Sequence, residues 1–308
     1  MKKENIIITI GDPVGCGPDI TLDAIKKLGP EFADFIVVGD SLILEKIPLY
    51  QVIKNKITLI DSKTKGIEKV KKGYASRLSG KASLTYLKIA LGFMKENSIK
   101  RLVTAPLSKE AVGLNLPGFC GHTEYLADYF KSKIEMMMVS DKVKTVLFSR
   151  HIPLRDVSPC IKKKNLLNTF SLVESELRRM FKIKSPKIVV ASLNPHAGVN
   201  TFLDKEERVV CAAIKDFGEK IFGPYPADTI FTADNLKKYD CVICLYHDQA
   251  MIPFKLLSMK DGVNLTLGLP IIRASPAHGV AYDVIRENKV PFSSSMVSAI
   301  KLVASLEV

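Results

Sequence analysis

The stretch "IIITIGDPVGCGPDI", residues 6–20, runs from an apolar, β-branched segment through three glycines into a helical start. Its reading decides the fold, because a glycine-rich turn between strand and helix is where dinucleotide-binding folds hold a pyrophosphate. The fingerprint G-x-G-x-x-G is absent here. Counting from Gly15, the third glycine falls on Ile20; counting from Gly11, the second falls on Pro13. Pro18 suits the first turn of a helix, where its missing N–H is no loss. Asp19 suits the positive end of the helix dipole. The local chemistry is that of a strand–turn–helix connector, with no proven phosphate cradle.

Outward from this connector the alternation continues. "DFIVVG", "KITLI", "KRLVTA", "EMMMVS", "KTVLFS", "KIVVAS" and "DCVICLY" are short apolar runs bounded by turn residues, and read as strands. Helical stripes lie between several of them. Leu84, Leu87, Leu91 and Met94 form one; Leu166, Phe170, Val173, Leu177 and Met180 form another. Both stripes read as core faces. Alternation of this kind predicts an α/β fold with a largely parallel sheet.

The 308 residues suffice for one large or two ordinary domains, and 47% apolar content supplies real cores. The opening apolar run is too short for a signal peptide, and no run reaches the roughly 18 apolar residues of a membrane span. The expectation is a soluble cytoplasmic protein. Cys241 and Cys244 form a C-x-x-C pair, but it sits inside a predicted buried strand with no second pair to complete a structural zinc site. These read as reduced core thiols. The net charge of +13 raises the possibility of a nucleic-acid partner. The lysines are diffuse, however, and there is no Trp to stack bases. Solvated lysine-rich faces, or an anionic small substrate, account for the charge better.

In open α/β sheets, chemistry collects at the carboxyl ends of strands. Four of the five histidines fall there: His151 after "KTVLFSR", His196 after "KIVVASLNP", His247 after "DCVICLY" and His278 in "RASPAHG". His122 opens "GHTEYLADYF" at a helix start. One such histidine is ordinarily a satisfied structural residue. Several at the ends of different strands point to a divalent-metal site, although no compact motif fixes it. Asp248 and Asp228 are candidate proton acceptors or partners orienting a histidine, or plain turn carboxylates. Lys255, Asn264 and Arg273 punctuate an apolar region. Lys and Arg there suit a phosphate or carboxylate, or a structural ion pair.

Taken together, "GDPVGCGP", "VTAPLSKEA", "GHTEYLA", "HIPL", "LNPHAG", "PADTIF", "YHDQ", "GVNLTLGLPIIR" and "SPAHG", in this order, closely resemble the PdxA family of 4-hydroxythreonine-4-phosphate dehydrogenases of pyridoxal phosphate biosynthesis. The likeness runs from about residue 6 to 283. It implies two α/β domains with a cleft, similar to isocitrate and isopropylmalate dehydrogenases, in a homodimer. The domains would be 1–122 plus 268–308, on the cofactor side, and 123–267, with the metal ligands and dimer interface. It implies oxidation of 4-phosphooxy-L-threonine with NAD (or NADP) and one divalent ion, Zn, Mg, Co or Mn. The β-keto acid formed then decarboxylates to 3-amino-2-oxopropyl phosphate. The implied metal ligands are His151, His196 and His247, one of them from the partner subunit. The implied substrate contacts are His122, Thr123, Lys255, Asn264 and Arg273. Gly11 and Asp12, with His278 and Gly279, are the implied cofactor contacts, and Asp248 or Asp228 the proton acceptor.

The chain departs from the family pattern in places. "VNTFLDKEE" follows "LNPHAG" with Val199 where a Glu is usual, and Ala277 stands where Asp is common. Three rivals remain: a paralogue oxidising a threonate or erythronate phosphate; from another class, a basic nucleic-acid-binding protein; and a metal-binding protein without catalysis.

Overall fold

The computed structural model describes residues 3–198 and 205–308; Val199 and its departure from the family pattern lie outside them. The eleven strands among the described residues are β1 (Asn5–Thr9), β2 (Asp34–Gly39), β3 (Thr58–Asp61), β4 (Arg101–Thr104), β5 (Glu135–Val139), β6 (Lys144–Ser149), β7 (Ile188–Ala191), β8 (Ile221–Tyr225), β9 (Cys241–Tyr246), β10 (Val263–Leu267) and β11 (Ile272–Pro276). The longer helices used below are α1 (Gly17–Leu28), α2 (Arg77–Glu96), α3 (His122–Phe130), α4 (Lys163–Phe181), α5 (Lys205–Phe217), α6 (His247–Ser258) and α7 (Ser294–Ser305). The chain divides into two compact units, Met1–Ser132 with Leu269–Leu306, and Lys133–Gly268 with Glu307–Val308. The first break falls ten residues beyond the expected 122/123, which leaves the whole of α3 in the first unit.

The first unit is built on five parallel strands in the order β3-β2-β1-β4-β11. Ile6, Ile7 and Ile8 of β1 are fully buried, as an inner parallel strand covered on both faces requires. α2 buries Leu84, Leu87, Leu91 and Met94. It begins with a capping box in which Ser76 Oγ accepts from Ser79 N at 3.0 Å and Ser79 Oγ from Ser76 N at 3.2 Å.

The opening stretch is the connector its chemistry suggests. α1 starts at Gly17 with Pro18 and Asp19 in its first turn. The glycines let chain segments approach one another. A Cβ on Gly11, held at φ +68°, would lie 2.2 Å from the Pro106 carbonyl oxygen, and one on Gly17 would lie 2.1 Å from that of Ile10. The turn is also clasped by the segment after β11. Cys16 N donates to Val280 O at 2.9 Å, and Tyr282 Oη donates to Asp12 at 2.6 Å.

In the second unit the order is β10-β5-β6-β9-β7-β8. The β10–β5 and β5–β6 pairs are antiparallel and the others parallel, so the expectation of a largely parallel α/β architecture holds. Leu166, Phe170, Val173, Leu177 and Met180 of α4 are all buried. Cys241 and Cys244 are buried free thiols in β9; burial pushes Cys244 up to about 12, which keeps it protonated and inert. Three strands escape sequence reading: β8 carries Gly223-Pro224, β10 carries Asn264, and β11 carries Arg273 and ends in Pro276. No helix among the described residues is long and apolar enough to cross a membrane.

Candidate active site

In the first unit, the polar centre is Arg273 on β11, 1% exposed. Its Nε and Nη2 donate to Thr104 Oγ1 at the end of β4, at 3.1 and 2.5 Å, and its Nη1 donates to Thr123 Oγ1 at 3.4 Å. Burial lowers the guanidinium to about 10, with nearby Glu124 opposing the shift, so it stays charged at neutral pH. A buried cation fixed by two hydroxyls is suited to an oxyanion. His122, the first residue of α3, is held well below the usual imidazole range by burial and then by the Arg273 charge. It is a neutral imidazole beside a cation at a helix start, where negative charge is favoured.

The clasped turn lies in the same unit. Asp12 is fully buried. Burial raises its carboxyl, while hydrogen bonds from Tyr282 and from Val14 N at 3.0 Å pull it back. Gly11 and Asp12 therefore shape the turn and hold the segment after β11. In that segment His278 and Gly279 are exposed, with His278 Nδ1 2.9 Å from the Gly279 carbonyl. At the end of β2, where dinucleotide folds place the acid that reads a ribose, Asp40 is buried and committed to Tyr86 Oη at 2.5 Å and Thr64 N at 2.6 Å. This unit lacks the Rossmann machinery, in keeping with the absent fingerprint.

In the second unit, His151 follows β6 and His247 follows β9, a parallel pair whose register includes Ser149 opposite Tyr246. Their ring centroids are 5.6 Å apart at 42°. His247 Nδ1 is buried without a hydrogen-bond partner, and so is Asn264 Oδ1 on β10. Buried polar atoms are nearly always satisfied; the other orphans among the described residues are the hydroxyls of Thr9 and Thr21 in the first unit, whereas these two lie on candidate site residues. An orphaned nitrogen on an imidazole whose ring lies 5.6 Å from a second imidazole fits two donors of a divalent ion. No three His, Cys, Asp or Glu among the described residues gather closely enough to hold a metal.

His196 sits after β7 on an exposed loop where it and Ala197 have φ of +57° and +59°. Two successive non-glycine residues in the left-handed region cost of order 1–3 kcal/mol each and persist only where the surroundings impose them. Asn194 provides the anchor: its N and Nδ2 donate to the buried Glu207 carboxylate at 2.8 and 2.9 Å. Gln249 adds another, accepting from Leu245 N at 2.7 Å and donating to Ser192 O at 2.6 Å. It thereby ties the ends of β9 and β7 together. Asp248 and Lys255 on α6 are exposed, so Lys255 needs no buried counter-ion. Asp228 is also exposed, its Oδ1 accepting from Thr229 N at 3.0 Å as a turn carboxylate does.

Thr104, Gln249, Glu207 and Tyr282 are absent from the sequence-derived candidates. Thr104 lies inside "VTAPLSKEA", and Gln249 beside His247 and Asp248 in "YHDQ". The pairings of Glu207 and Tyr282 depend on tertiary structure.

Residues 31–303 match the family model described as Pyridoxal phosphate biosynthetic protein PdxA. The chain belongs to this family. It is 37% identical to 4-hydroxythreonine-4-phosphate dehydrogenase of Aquifex aeolicus, with 99% of this chain and 98% of that protein covered. It is 34% identical to D-threonate 4-phosphate dehydrogenase of Salmonella typhimurium, with 99% and 100% covered. A crystal structure of 4-hydroxythreonine-4-phosphate dehydrogenase from Klebsiella pneumoniae superposes with a TM-score of 0.84 at 31% identity, covering 98% of both chains. At the level of fold alone, isocitrate dehydrogenase from Methylococcus capsulatus gives a TM-score of 0.55 at 12% identity, covering 97% of this chain and 84% of that one. The likeness to that dehydrogenase class holds, and this PdxA-family chain is an oxidoreductase.

Proposed function

We propose that this PdxA-family chain is a metal-dependent dehydrogenase that oxidises 4-phosphooxy-L-threonine with NAD or NADP. The product, 2-amino-3-oxo-4-phosphooxybutanoate, loses carbon dioxide to give 3-amino-2-oxopropyl phosphate for pyridoxal phosphate synthesis. The observation that carries the reading is His247 Nδ1, buried and unpartnered opposite His151. When bound, a divalent ion (Zn, Mg, Co or Mn) supplies Lewis-acid stabilisation of negative charge on the substrate oxygen, and the nicotinamide accepts hydride.

The chain's own residues do the rest. Arg273, set by Thr104 and Thr123, binds the phosphate with His122 at the start of α3. Lys255 and Asn264 supply a further charge and an amide to the substrate. Asp248, adjacent to His247, accepts the carbinol proton; Asp228 is tied into its own turn. His278 and Gly279 contact the nicotinamide cofactor, presented by the clasp that Gly11 and Asp12 organise.

The enzyme acts as a cytoplasmic homodimer in which His196 completes the set begun by His151 and His247 across two chains. Its exposure on a strained, anchored loop supports that role. So does the apolar stripe of Ile252, Leu256 and Met259 along α6 and its C-cap, 60%, 83% and 80% exposed. Such a stripe marks an interaction surface on a water-soluble protein. The test is NADH formation from 4-phosphooxy-L-threonine, with and without chelator. Full turnover of metal-free enzyme would overturn the metal role.

A second reading is D-threonate 4-phosphate as the substrate, favoured by the full-length match to that dehydrogenase. The same assay with D-threonate 4-phosphate separates the two through kcat/KM. Retention on duplex DNA with a steep salt dependence would instead favour the nucleic-acid reading.

A further inference from the structure

The second unit contains a cavity of about 430 Å³ with no part in the chemistry above. It is lined at the amino ends of β6 and β9 by the β5–β6 turn, by the segment leading into β9 and by Leu257 near the end of α6. His151 and His247 follow the carboxyl ends of the same two strands. Six strand residues separate the two ends, about 20 Å.

Its lining combines apolar side chains with three lysines and two aspartates. Leu236, Val242 and Leu257 line it beside the ring of Tyr239, which packs against Phe222 at 5.6 Å between centroids. Lys142, Lys144 and Lys237 face it with Asp141 and Asp240. Asp240 already accepts from Lys187 N at 2.7 Å, and Lys144 lies over the Phe181 ring at 5.2 Å. Lys237 shares an ion pair with Asp234 at 3.4 Å, but both are almost fully exposed, so the pair contributes little. The turn carrying Lys142 is fixed. Ser140 Oγ accepts from Lys142 N and Val143 N at 3.2 Å, and from Ser258 Oγ at 2.8 Å. A cavity of this volume, lined by apolar side chains and a few placed charges, has the dimensions of a small-molecule site.

We propose that this cavity binds a small ring compound bearing one phosphate: the ring lies against Tyr239 and Leu257, and the phosphate meets Lys142 and Lys237. The choice of a pyridoxine-type ring rests on the proposed place of the chain in pyridoxal phosphate synthesis. α6 links the cavity to the site, because it carries Leu257 at one end and His247 at the other, about 15 Å apart along the helix.

The test is calorimetric titration of the full chain with pyridoxine 5′-phosphate, which lacks the aldehyde that would label lysines indiscriminately. One equivalent binds per chain. Leu257→Trp, which fills the cavity, and Lys142→Glu, on an exposed turn, each weaken binding about tenfold or more, roughly 1.4 kcal/mol. NADH formation from 4-phosphooxy-L-threonine without the ring phosphate stays within about twofold in both. Arg273→Lys leaves the ring-phosphate affinity unchanged, and inorganic phosphate binds about tenfold more weakly or worse. The proposal is overturned by absence of binding, by equal affinity for inorganic phosphate, or by binding that Arg273→Lys abolishes and the cavity variants keep. Turnover without ring-phosphate binding would sink this proposal and leave the dehydrogenase reading intact; binding without turnover would do the reverse.

Discussion

The two units treat their candidate site residues differently. In the first, the charged groups of the site and the turn are paired, Arg273 with Thr104 and Thr123, Asp12 with Tyr282 and Val14, Asp40 with Tyr86 and Thr64, and its orphans among the described residues are two hydroxyls outside these pairs, Thr9 Oγ1 and Thr21 Oγ1. In the second, His247 Nδ1 and Asn264 Oδ1 are buried with no partner, and His196 is exposed on a strained turn. A satisfied network is a preorganised receptor, rigid before its ligand arrives. An unsatisfied one is a receptor whose folded state already carries the cost of a missing partner. The contrast divides the proposed labour: the first unit positions the phosphate, and the second awaits an ion and a second chain.

The largest test breaks the second half of that contrast. His247→Ala should lower kcat for NADH formation by about 10³-fold or more, the several kcal/mol expected of lost Lewis-acid stabilisation. Chelation of wild-type enzyme should match it. The apo protein should melt like the variant, since the orphaned nitrogen stabilises nothing without its ion. A variant that turns over normally would remove His247 from the metal site.

Next comes the fork in the first unit. Arg273→Lys keeps the charge but loses the planar donors that span Thr104, Thr123 and an oxyanion. About 10²-fold should be lost from kcat/KM, about 2.7 kcal/mol, mainly through KM. An equal loss with a substrate lacking the phosphate would show that Arg273 serves only the fold.

Two tests of the clasp read stability rather than turnover. Gly11→Ala forces a Cβ to within 2.2 Å of the Pro106 carbonyl at a φ of +68°, and should cost about 3 kcal/mol in urea denaturation. Tyr282→Phe removes one hydrogen bond to a buried carboxylate and should cost about 1.5 kcal/mol. If the clasp presents His278 and Gly279 to the cofactor, Tyr282→Phe should also raise KM for NAD several-fold while leaving kcat nearly unchanged.

This contrast also sets the limit of what the sequence could disclose. The core strands and both helical stripes were legible because burial on both faces of a parallel sheet demands unbroken apolar runs, such as Ile6 to Ile8, and a 3.6-residue period in the covering helices. β8, β10 and β11 were not, because Pro224, Asn264 and Arg273 interrupt their patterns; two of these are candidate substrate residues. The histidines stood out because imidazoles at strand ends are few. Gln249, Thr104 and Glu207 did not, since neutral amides, hydroxyls and a helix carboxylate acquire meaning only through the partner that tertiary structure supplies. The glycines of the opening stretch show the converse. They look like phosphate chemistry, and backbone packing against Pro106 and Ile10 accounts for Gly11 and Gly17.

The smallest expected effect tests the first half of the contrast most directly. Burial and the Arg273 charge hold His122 well below the ordinary imidazole value of 6.5. With the folded-state pKa depressed, the unfolded chain takes up the proton first as pH falls. Stability therefore declines once pH drops below about 6.5, and continues to decline until the folded-state pKa is reached. His122→Asn should flatten that part of the stability–pH curve. A bound phosphate dianion reverses the electrostatics, because it offsets Arg273 and favours an imidazolium at the start of α3. In imidazole NMR spectra His122 should remain neutral at pH 6 in the free enzyme, and its titration should move upward when 4-phosphooxy-L-threonine is added. An ordinary titration near 6.5, indifferent to substrate, would mean that His122 is open to solvent and that the phosphate lies elsewhere. An upward shift in wild type that disappears in Arg273→Lys would place imidazole, guanidinium and phosphate in one electrostatic unit.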